Sequence, residues 1–170
     1  MNKIIIKNHR GICEINYCDI DSSITYIKKL SPALLIFDEV LLKINPSLLQ
    51  KLSFIPKSIH LKSGEQTKTL KGVFDLLNKI ESLNIYPLNH ILIIGGATIQ
   101  DTCGTAFSLL KRGVKWTFIP TTLLAQADSC IGSKTSINSD ITKNLYGLFY
   151  SPQYIFITPE FLKSLPELEI

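Results

Sequence analysis

The sequence predicts an α/β fold, a Rossmann-like open, mostly parallel sheet with helices on both faces. Short apolar runs bounded by turn residues recur along the chain, and most are continuous rather than alternating, as in buried parallel strands. Helical patterns lie between these runs, so successive strands are expected to be joined by right-handed crossovers. The runs lie near residues 3–7, 33–37, 57–61, 90–94, 115–119 and 153–157.

The clearest helical pattern runs from Thr67 to Leu83. Its apolar residues recur three or four positions apart, which places them on one face of a helix that packs on the sheet. A second helix is expected to begin near Ala97, and the prolines stand between the predicted elements rather than inside them. The apolar stripe of the first helix consists of Leu70, Val73, Phe74, Leu77 and Ile80, widened by Leu76 and Leu83.

Length and composition restrict the possible functions. The 170 residues suit one domain spanning residues 1–170, and 45% of them are apolar. The net charge of +4 comes from dispersed lysines without a basic run, which argues against nucleic acid as a partner. No apolar stretch is long enough for a membrane span, and the four cysteines match neither a zinc motif nor a disulfide scaffold. We therefore expect a cytoplasmic protein without a membrane partner.

A glycine pair, Gly95-Gly96, directly follows the apolar run 90–94 and precedes the helix expected from Ala97. Backbone N–H groups at such a junction lie at the positive end of a helix dipole, which suits a pyrophosphate. The same junction is also typical of a plain tight turn. Asp101 has two interpretations as well, since an acid early in a helix either takes part in a site or only complements the dipole.

Glu65 and Lys68 stand just before the long helix. One interpretation is that they belong to its N-terminal cap, together with Ser63 or Thr67. The other is that the carboxylate and the ammonium reach the ribose and phosphates of a nucleotide across the carboxyl edge of the sheet. The sequence alone leaves both interpretations open.

Further polar residues follow the apolar run 115–119. Thr121 and Thr122 place hydroxyl and N–H groups at a strand end, where they bind a ligand or cap a helix. Asp128 and Lys134 are separated by a turn that contains a glycine. They bring an acid and a base to one substrate, or they form an exposed ion pair of little energetic value.

Lys143 and Asn144 add a cation and an amide beside an aromatic strip of Tyr146, Phe149 and Tyr150, which we assign mainly to the core and an interface. The three histidines are scattered and form no metal-binding spacing, and strand-edge positions explain them. Cys130 has no histidine nearby and is interpreted as a small buried thiol rather than a nucleophile. The histidines are His9, His60 and His90.

Taken together, these motifs resemble the amino-terminal domain of the 3-dehydroquinate synthase family, within the sugar phosphate cyclases. The similarity is carried by S-G-E-Q-T-K-T-L from Ser63, P-T-T-L-L-A-Q-A-D-S from Pro120 and K-N-L-Y-G from Lys143, in family order and spacing. It is strong from Ser63 onward and weak before it. The resemblance implies an NAD-assisted, metal-dependent cyclisation of a sugar phosphate, 3-deoxy-arabino-heptulosonate 7-phosphate, to dehydroquinate and phosphate in the shikimate pathway.

The resemblance also implies roles for individual residues. Asp128, Lys134 and Asn144 would face nicotinamide and substrate as catalytic residues, and Ser164 with Leu165 would line the adenine side. Arg112 would reach into the phosphate pocket of a neighbouring subunit, so a homodimer or a companion carboxy-terminal chain is expected as partner. NAD itself would contact Asp38, Glu65, Lys68, Gly95, Gly96, Asp101, Thr121, Thr122 and Lys143.

The chain departs from the family pattern at several positions. Ala97 and Gln100 stand where the family has glycines, and Ser133 replaces the glycine before the lysine. We therefore expect more crowding at the phosphate-binding turn, which contains the glycine pair. Val40 stands where some relatives carry an asparagine that contacts the nucleotide. Adenosine binding is therefore expected to be weaker or differently arranged.

Family members continue into a helical domain that binds zinc through one glutamate and two histidines, and we expect that domain to be absent from this chain. The resemblance therefore implies no metal site within this chain, a divalent metal only together with the missing domain, and no turnover by this chain alone. Other hypotheses remain open. They are a cyclase acting on glucose 6-phosphate or sedoheptulose 7-phosphate, a non-catalytic nucleotide-binding remnant, and a glycerol-dehydrogenase-like oxidoreductase.

Overall fold

The computed structural model of the chain describes residues 2–8 and 11–166. Strands and helices alternate along most of these ranges. Short 3₁₀ turns lie at Glu65–Thr67, Leu110–Arg112 and Pro159–Ser164, and a π-helical turn lies at Ala125–Ser129. In chain order the elements are β1 (Asn2–Asn8), β2 (Gly11–Tyr17), α1 (Ile20–Leu30), β3 (Leu34–Asp38), α2 (Leu41–Ile44), α3 (Pro46–Lys51), β4 (Ser58–Leu61), α4 (Leu70–Ser82), β5 (Ile91–Gly95), α5 (Ala97–Leu109), β6 (Trp116–Pro120), β7 (Lys134–Ile137), β8 (Tyr146–Phe149) and β9 (Tyr154–Ile157).

The main sheet has the strand order β1-β2-β9-β6-β5-β3-β4 within the described residues. β1 pairs antiparallel with β2, and the other neighbouring pairs are parallel. β7 and β8 form a separate antiparallel hairpin. Because parallel strands end at the same edge, the residues that follow β3, β4, β5, β6 and β9 meet along one side of the sheet. The predicted α/β class and mostly parallel sheet are confirmed.

Each face of the sheet has its own hydrophobic core. One core, beneath α4 and α5, includes Ile93, Trp116 and Phe118. The other, beneath α1 and α3, includes Leu92 and Phe156. Helices therefore cover both faces, and neighbouring strand residues are buried on opposite sides, which explains the continuous apolar runs. Across the described residues, no helix combines the length and apolarity needed to cross a bilayer.

All six predicted strands are confirmed, with bounds within one residue of the expected positions. Strands β2, β7 and β8 were not predicted from the sequence. Only three residues of β2 are fully buried, so its sequence lacks a continuous apolar run. The hairpin strands have four residues each and include polar or exposed positions, which is a weak signal for a strand.

The predicted start of the long helix at Thr67 is wrong, because α4 begins at Leu70. Its N-terminal cap is Thr69, whose hydroxyl accepts a hydrogen bond from the backbone N–H of Gly72 at 3.1 Å. The suggestion that Ser63 or Thr67 caps this helix is therefore also wrong. Because Thr69 caps the helix, Glu65 and Lys68, which lie in and just after the preceding 3₁₀ turn, make contacts outside the helix instead.

The apolar stripe of α4 is narrower in the structure than in the prediction. Leu70 and Phe74 are 58% and 62% exposed, although the spacing places them with the buried residues. Leu77 and Leu83 are partly buried against the same core, whereas Leu70 and Phe74 lie beyond the packing surface and extend into solvent. The fully buried part of the stripe consists of Val73, Leu76 and Ile80.

Candidate functional site

A pocket of about 290 Å³ lies between the first turns of α5, the loop after β4 and the β7–β8 hairpin. Residues from segments far apart in the sequence meet here because β4, β5 and β6 end at the same edge of the sheet. Six of the residues singled out from the sequence line it: Glu65, Lys68, Asp101, Asp128, Lys134 and Asn144. Its other lining residues are Ala97, Thr98, Leu124, Ser129, Gly132 and Ser136.

A buried ion pair forms the centre of the pocket wall. Lys68 Nζ lies 2.6 Å from Asp101 Oδ2, and the two side chains are only 7% and 14% exposed. Lys68 Nζ also donates to Asn144 Oδ1 at 2.6 Å, and Asp101 Oδ1 accepts from the backbone N–H of Ser136 at 3.1 Å. Burial raises the pKa of Asp101 above its ordinary value, and the hydrogen bond and charge of Lys68 oppose that rise.

This pairing argues against the interpretation that Asp101 only complements the helix dipole. The first turn of α5 contains no acidic residue, and the Asp101 carboxylate contacts Lys68 and Ser136 instead of complementing the helix dipole. The capping interpretation of Glu65 is also wrong, since its carboxylate accepts from the side-chain amide of Asn138 at 2.8 Å. The Glu65 carboxylate therefore connects the loop after β4 to the hairpin, and the Asp101 carboxylate connects helix α5 to it.

Asn144 occupies a strained backbone position beside this ion pair. Its φ is 55°, in the left-handed region that non-glycine residues reach at a cost of about 1 kcal/mol. Its backbone N–H donates to Asn138 Oδ1 at 2.8 Å, and its own Oδ1 accepts from Ser136 Oγ at 2.9 Å as well as from Lys68. The strained position is thus held by hydrogen bonds on both the backbone and the side chain.

The glycine pair packs tightly at the start of α5. A Cβ atom on Gly95 would lie 2.9 Å from Ile99 Cβ, and one on Gly96 would lie 3.0 Å from Thr122 Cγ2. The backbone N–H of Thr121 donates to the carbonyl of Gly95 at 2.9 Å, which joins the ends of β5 and β6. No side chain caps the first turn of α5. An uncapped, positively polarised helix end approached by glycine backbone can bind an anionic group.

Asp128 and Lys134 are exposed on the pocket rim. Asp128 lies in the π-helical turn, and Lys134 is the first residue of β7. Within the described residues the two side chains form no ion pair, so the exposed-pair interpretation is wrong for this structure. A carboxylate and an ammonium in one pocket can exchange protons with a bound substrate or contact its charged groups.

Two buried glutamines support the pocket, and the sequence analysis assigned neither this role. Gln100 donates through Nε2 to the carbonyl of Ser129 at 2.8 Å and accepts from its hydroxyl at 3.1 Å, so it braces the turn that carries Asp128. Gln126 donates to the carbonyls of Pro120 and Thr158, each at 3.1 Å, and ties the ends of β6 and β9 together. The signal for this role in the sequence was that each glutamine is a polar residue within an otherwise apolar segment.

Two of the three departures from the family's glycines, Gln100 and Ser133, make their side-chain contacts away from the glycine pair, whereas Ala97 directly follows the pair and lines the pocket. Gln100 points to the loop of residues 129–134 rather than to the glycine pair. Ser133 has a φ of 58°, the conformation that favours glycine, and its hydroxyl is hydrogen-bonded to that of Ser151. A serine therefore occupies a backbone position to which a glycine is better suited.

The remaining predicted residues do not line this pocket, among them the glycine pair and the two threonines that follow β6. Asp38 ends β3 and accepts from the backbone N–H of Val40 at 3.1 Å, and Ser164 donates to the carbonyl of Phe161 at 2.8 Å. Lys143 is exposed in the loop before β8. Arg112 lies beyond the C-terminal end of α5, at the opposite edge of the sheet from the glycine pair. Within one chain the structure does not bring Arg112 to the pocket.

Residues with other suggested roles are placed as follows. Cys130 is buried, and burial raises the pKa of its thiol to about 12, which confirms the assignment as an inert thiol. His90 is buried rather than at an exposed strand edge, His60 is exposed, and His9 lies outside the described residues. Among residues 2–8 and 11–166, no group of three or more His, Cys, Asp or Glu side chains could hold a metal ion.

The aromatic strip is only partly in the core. Tyr150 donates to the carbonyl of Val114 at 2.7 Å and stacks on Trp116. Tyr146 and Phe149 are 45% and 55% exposed, so their assignment to the core is wrong, and their assignment to an interface stays a prediction. They lie on the hairpin with their aromatic surface in solvent.

Comparison with known proteins identifies similar sequences. The sequence model described as 3-dehydroquinate synthase N-terminal matches residues 58–170. The 3-dehydroquinate synthase of Ruminiclostridium cellulolyticum is 41% identical over 110 residues, which cover 65% of this chain and 31% of that protein. The 3-dehydroquinate synthase of Clostridium tetani is 37% identical over 141 residues, which cover 82% of this chain and 38% of that protein. The chain thus spans about a third of the length of these relatives.

Solved structures share the fold. A 2-deoxy-scyllo-inosose synthase, solved with carbaglucose-6-phosphate, NAD⁺ and Co²⁺, superposes with a TM-score of 0.85 at 23% identity, over 99% of this chain and 48% of that one. The 2-epi-5-epi-valiolone synthase of Streptomyces hygroscopicus, solved with NAD⁺ and Zn²⁺, gives a TM-score of 0.81 at 23% identity, over 91% and 45% of the two chains. At this identity the likeness shows the fold alone.

Proposed function

The chain belongs to the 3-dehydroquinate synthase family, and we propose that it is the NAD-binding domain of an enzyme that converts 3-deoxy-arabino-heptulosonate 7-phosphate into 3-dehydroquinate and phosphate. This reaction would place it in the shikimate pathway. The observation that carries the proposal is the Lys68–Asp101–Asn144 network beside the uncapped start of α5. The pocket beside this network is lined by residues from all three sequence motifs of the family resemblance.

The residues present fit a dinucleotide. The backbone of Gly95 and Gly96, with the first N–H groups of α5, would bind the pyrophosphate, since no side chain caps this helix end. Glu65 and Lys68 would contact the ribose and phosphates, with Asp101 holding the lysine in place. When bound, NAD supplies a reversible hydride acceptor for a substrate hydroxyl. Asp38, Thr121, Thr122, Lys143 and Ser164 remain proposed contacts at the same sheet edge.

The substrate would lie against the exposed rim of the pocket. Asp128 and Lys134 would contact the sugar phosphate and move protons at its hydroxyl groups, and the amide of Asn144 would orient it. Arg112 cannot take part from within the same chain. We propose that it serves the pocket of a second copy or a companion chain, as the family resemblance implies.

A divalent metal is not accommodated by the described residues, which form no cluster of suitable ligands. Residues other than these would have to hold it. We therefore propose that this chain turns over only together with a metal-binding domain. The free thiols of Cys13, Cys18, Cys103 and Cys130 support a cytoplasmic location.

Phosphate release tests the enzymatic part of the proposal. The chain is mixed with 3-deoxy-arabino-heptulosonate 7-phosphate, NAD and Zn²⁺, with and without the separately expressed remaining part of the Ruminiclostridium relative. We expect release only in the complemented mixture, and loss of that release in an Asp128→Asn variant. NAD binding without any phosphate release would instead favour a non-catalytic nucleotide-binding protein.

A further inference from the structure

We infer that Asn138 is a positioning residue that sets the distance between the two walls of the pocket. Asn138 directly follows β7 and is not itself one of the proposed ligand contacts. The inference rests on the proposed NAD-binding function for its effect on affinity, but its structural part stands on hydrogen bonds alone.

Asn138 contacts three residues of the site, which come from two separate loops. Its backbone N–H donates to the carbonyl of Lys68 at 2.8 Å, in a short parallel bridge between Thr69 and Asn138. Its side-chain Nδ2 donates to Glu65 Oε2 at 2.8 Å, and its Oδ1 accepts from the backbone N–H of Asn144 at 2.8 Å. One residue therefore links the loop after β4 to the loop before β8.

The contact to Asn144 explains how that residue keeps its conformation. A residue in the left-handed region relaxes to a more favourable φ unless its surroundings hold it there. With its N–H bound to Asn138, Asn144 directs its Oδ1 between Lys68 Nζ and Ser136 Oγ. Asn138 thus determines the position of Asn144 Oδ1, which is the second hydrogen-bond partner of the Lys68 ammonium.

The chemistry of the side chain is specific to an amide. At this position the group must donate to a carboxylate on one side and accept from an N–H on the other, and only asparagine does both without a change in length. An aspartate would keep the acceptor for Asn144 but would place a carboxylate oxygen against the carboxylate of Glu65. The two contacts can therefore be separated by substitution.

Amide hydrogen exchange of the whole chain, followed by NMR without ligand, tests the structural part. In Asn138→Ala the N–H of Asn144 should exchange at least about tenfold faster than in the wild type, because its acceptor is lost. In Asn138→Asp it should exchange within about twofold of the wild-type rate. Equal protection in Asn138→Ala and the wild type would overturn the inference.

Calorimetric titration with NAD tests the effect on the site. Asn138→Asp should weaken NAD binding by about tenfold, whereas Asn78→Asp, the same change at an exposed position of α4, should not. When Glu65→Gln is added to Asn138→Asp, the amide at position 65 donates to the carboxylate at position 138. The hydrogen bond is therefore restored with donor and acceptor exchanged. The double variant should therefore bind NAD at least about fivefold more tightly than the product of the single effects predicts.

The outcomes separate the two claims. Additive effects of Asn138→Asp and Glu65→Gln would contradict the positioning role even if both variants bind NAD. If the folded wild type does not bind NAD, the proposed nucleotide-binding function fails, and the exchange rates of Asn144 still decide whether Asn138 holds it. Thermal unfolding of each variant shows that the comparison is made on folded protein.

Discussion

The ammonium of Lys68 lies 2.6 Å from the carboxylate of Asp101, and both side chains are almost entirely buried. The two residues come from the loop after β4 and from α5. Removing one partner of a buried pair leaves the other charge without compensation. The pair therefore supports the fold as well as the pocket.

Asp101→Ala should reduce the free energy of unfolding by about 3 kcal/mol, because Lys68 would keep only its hydrogen bond to Asn144. Urea unfolding at pH 7 measures this loss. Asp75→Ala is the matched control, since Asp75 pairs with Lys71 on the exposed surface of α4 and should cost no more than about 0.5 kcal/mol. Equal effects of the two substitutions would contradict the importance of burial.

Gly104→Ala should displace the hairpin. A Cβ atom at this position would lie 2.3 Å from Thr135 Cγ2, so α5 and β7 cannot keep their present distance. We expect a loss of about 1–3 kcal/mol in unfolding free energy, as for other overpacked sites.

Two further variants check the cause of that loss. Thr135→Ser removes the colliding methyl group and should restore most of the stability of Gly104→Ala. Gly132→Ala should have little effect, because the nearest atom to its added Cβ would be 3.9 Å away. A failure of Thr135→Ser to compensate would show that the collision is not the cause.

His90 should make stability depend on pH. Burial, with Lys115 nearby, lowers the pKa of the folded histidine from 6.5 to about 4, while its Nε2 lies 2.6 Å from Thr117 Oγ1. Between pH 6.5 and about pH 4, His90 is protonated in the unfolded chain but neutral in the folded chain. The contribution of His90, on the order of 3 kcal/mol, is therefore complete above pH 6.5 and is lost as the pH falls toward 4.

Urea unfolding between pH 4 and 7.5 checks this prediction. His90→Gln should flatten the pH dependence in that interval, and His60→Gln, at an exposed position, should leave it as in the wild type. An unchanged slope in His90→Gln would contradict the assignment of the titration to His90.

Asn16→Leu should stabilise the chain. Asn16 is fully buried on β2, and neither its Oδ1 nor its Nδ2 has a hydrogen-bond partner among the described residues. Replacing such an amide by an apolar group with the same branched skeleton should raise the free energy of unfolding by about 1 kcal/mol. Asn78→Leu on the exposed face of α4 is the control, and a loss of stability in Asn16→Leu would contradict the prediction.

The sequence was sufficient to predict the strands and helices that show one strong hydrophobic pattern. The runs that became β5 and β6 are buried on both faces, so continuous apolarity predicted them to within one residue. Leu70 and Phe74 show the limit of this reasoning, because periodicity gives the apolar face of a helix but not the width of the surface it packs on. Strand β2 was missed because a half-buried strand lacks a continuous run.

The candidate site was predictable in its residue types but not in its contacts. Lys68 and Asp101 are far apart in the sequence, and each had an adequate local explanation as a cap or as a dipole partner. Their pairing follows only from the packing of α5 beside the loop after β4. The roles of Gln100 and Asn138 could not be predicted, since both depend on loops that approach each other in the fold.

The central claim is that this pocket binds NAD, and calorimetric titration of the purified chain with NAD tests it most directly. We predict one site per chain, with binding weakened at least about tenfold in Glu65→Ala and unchanged in Asp75→Ala. Circular dichroism on the same samples confirms that they are folded. No binding by the folded wild type at millimolar NAD, or equal affinity in Glu65→Ala, would contradict the account.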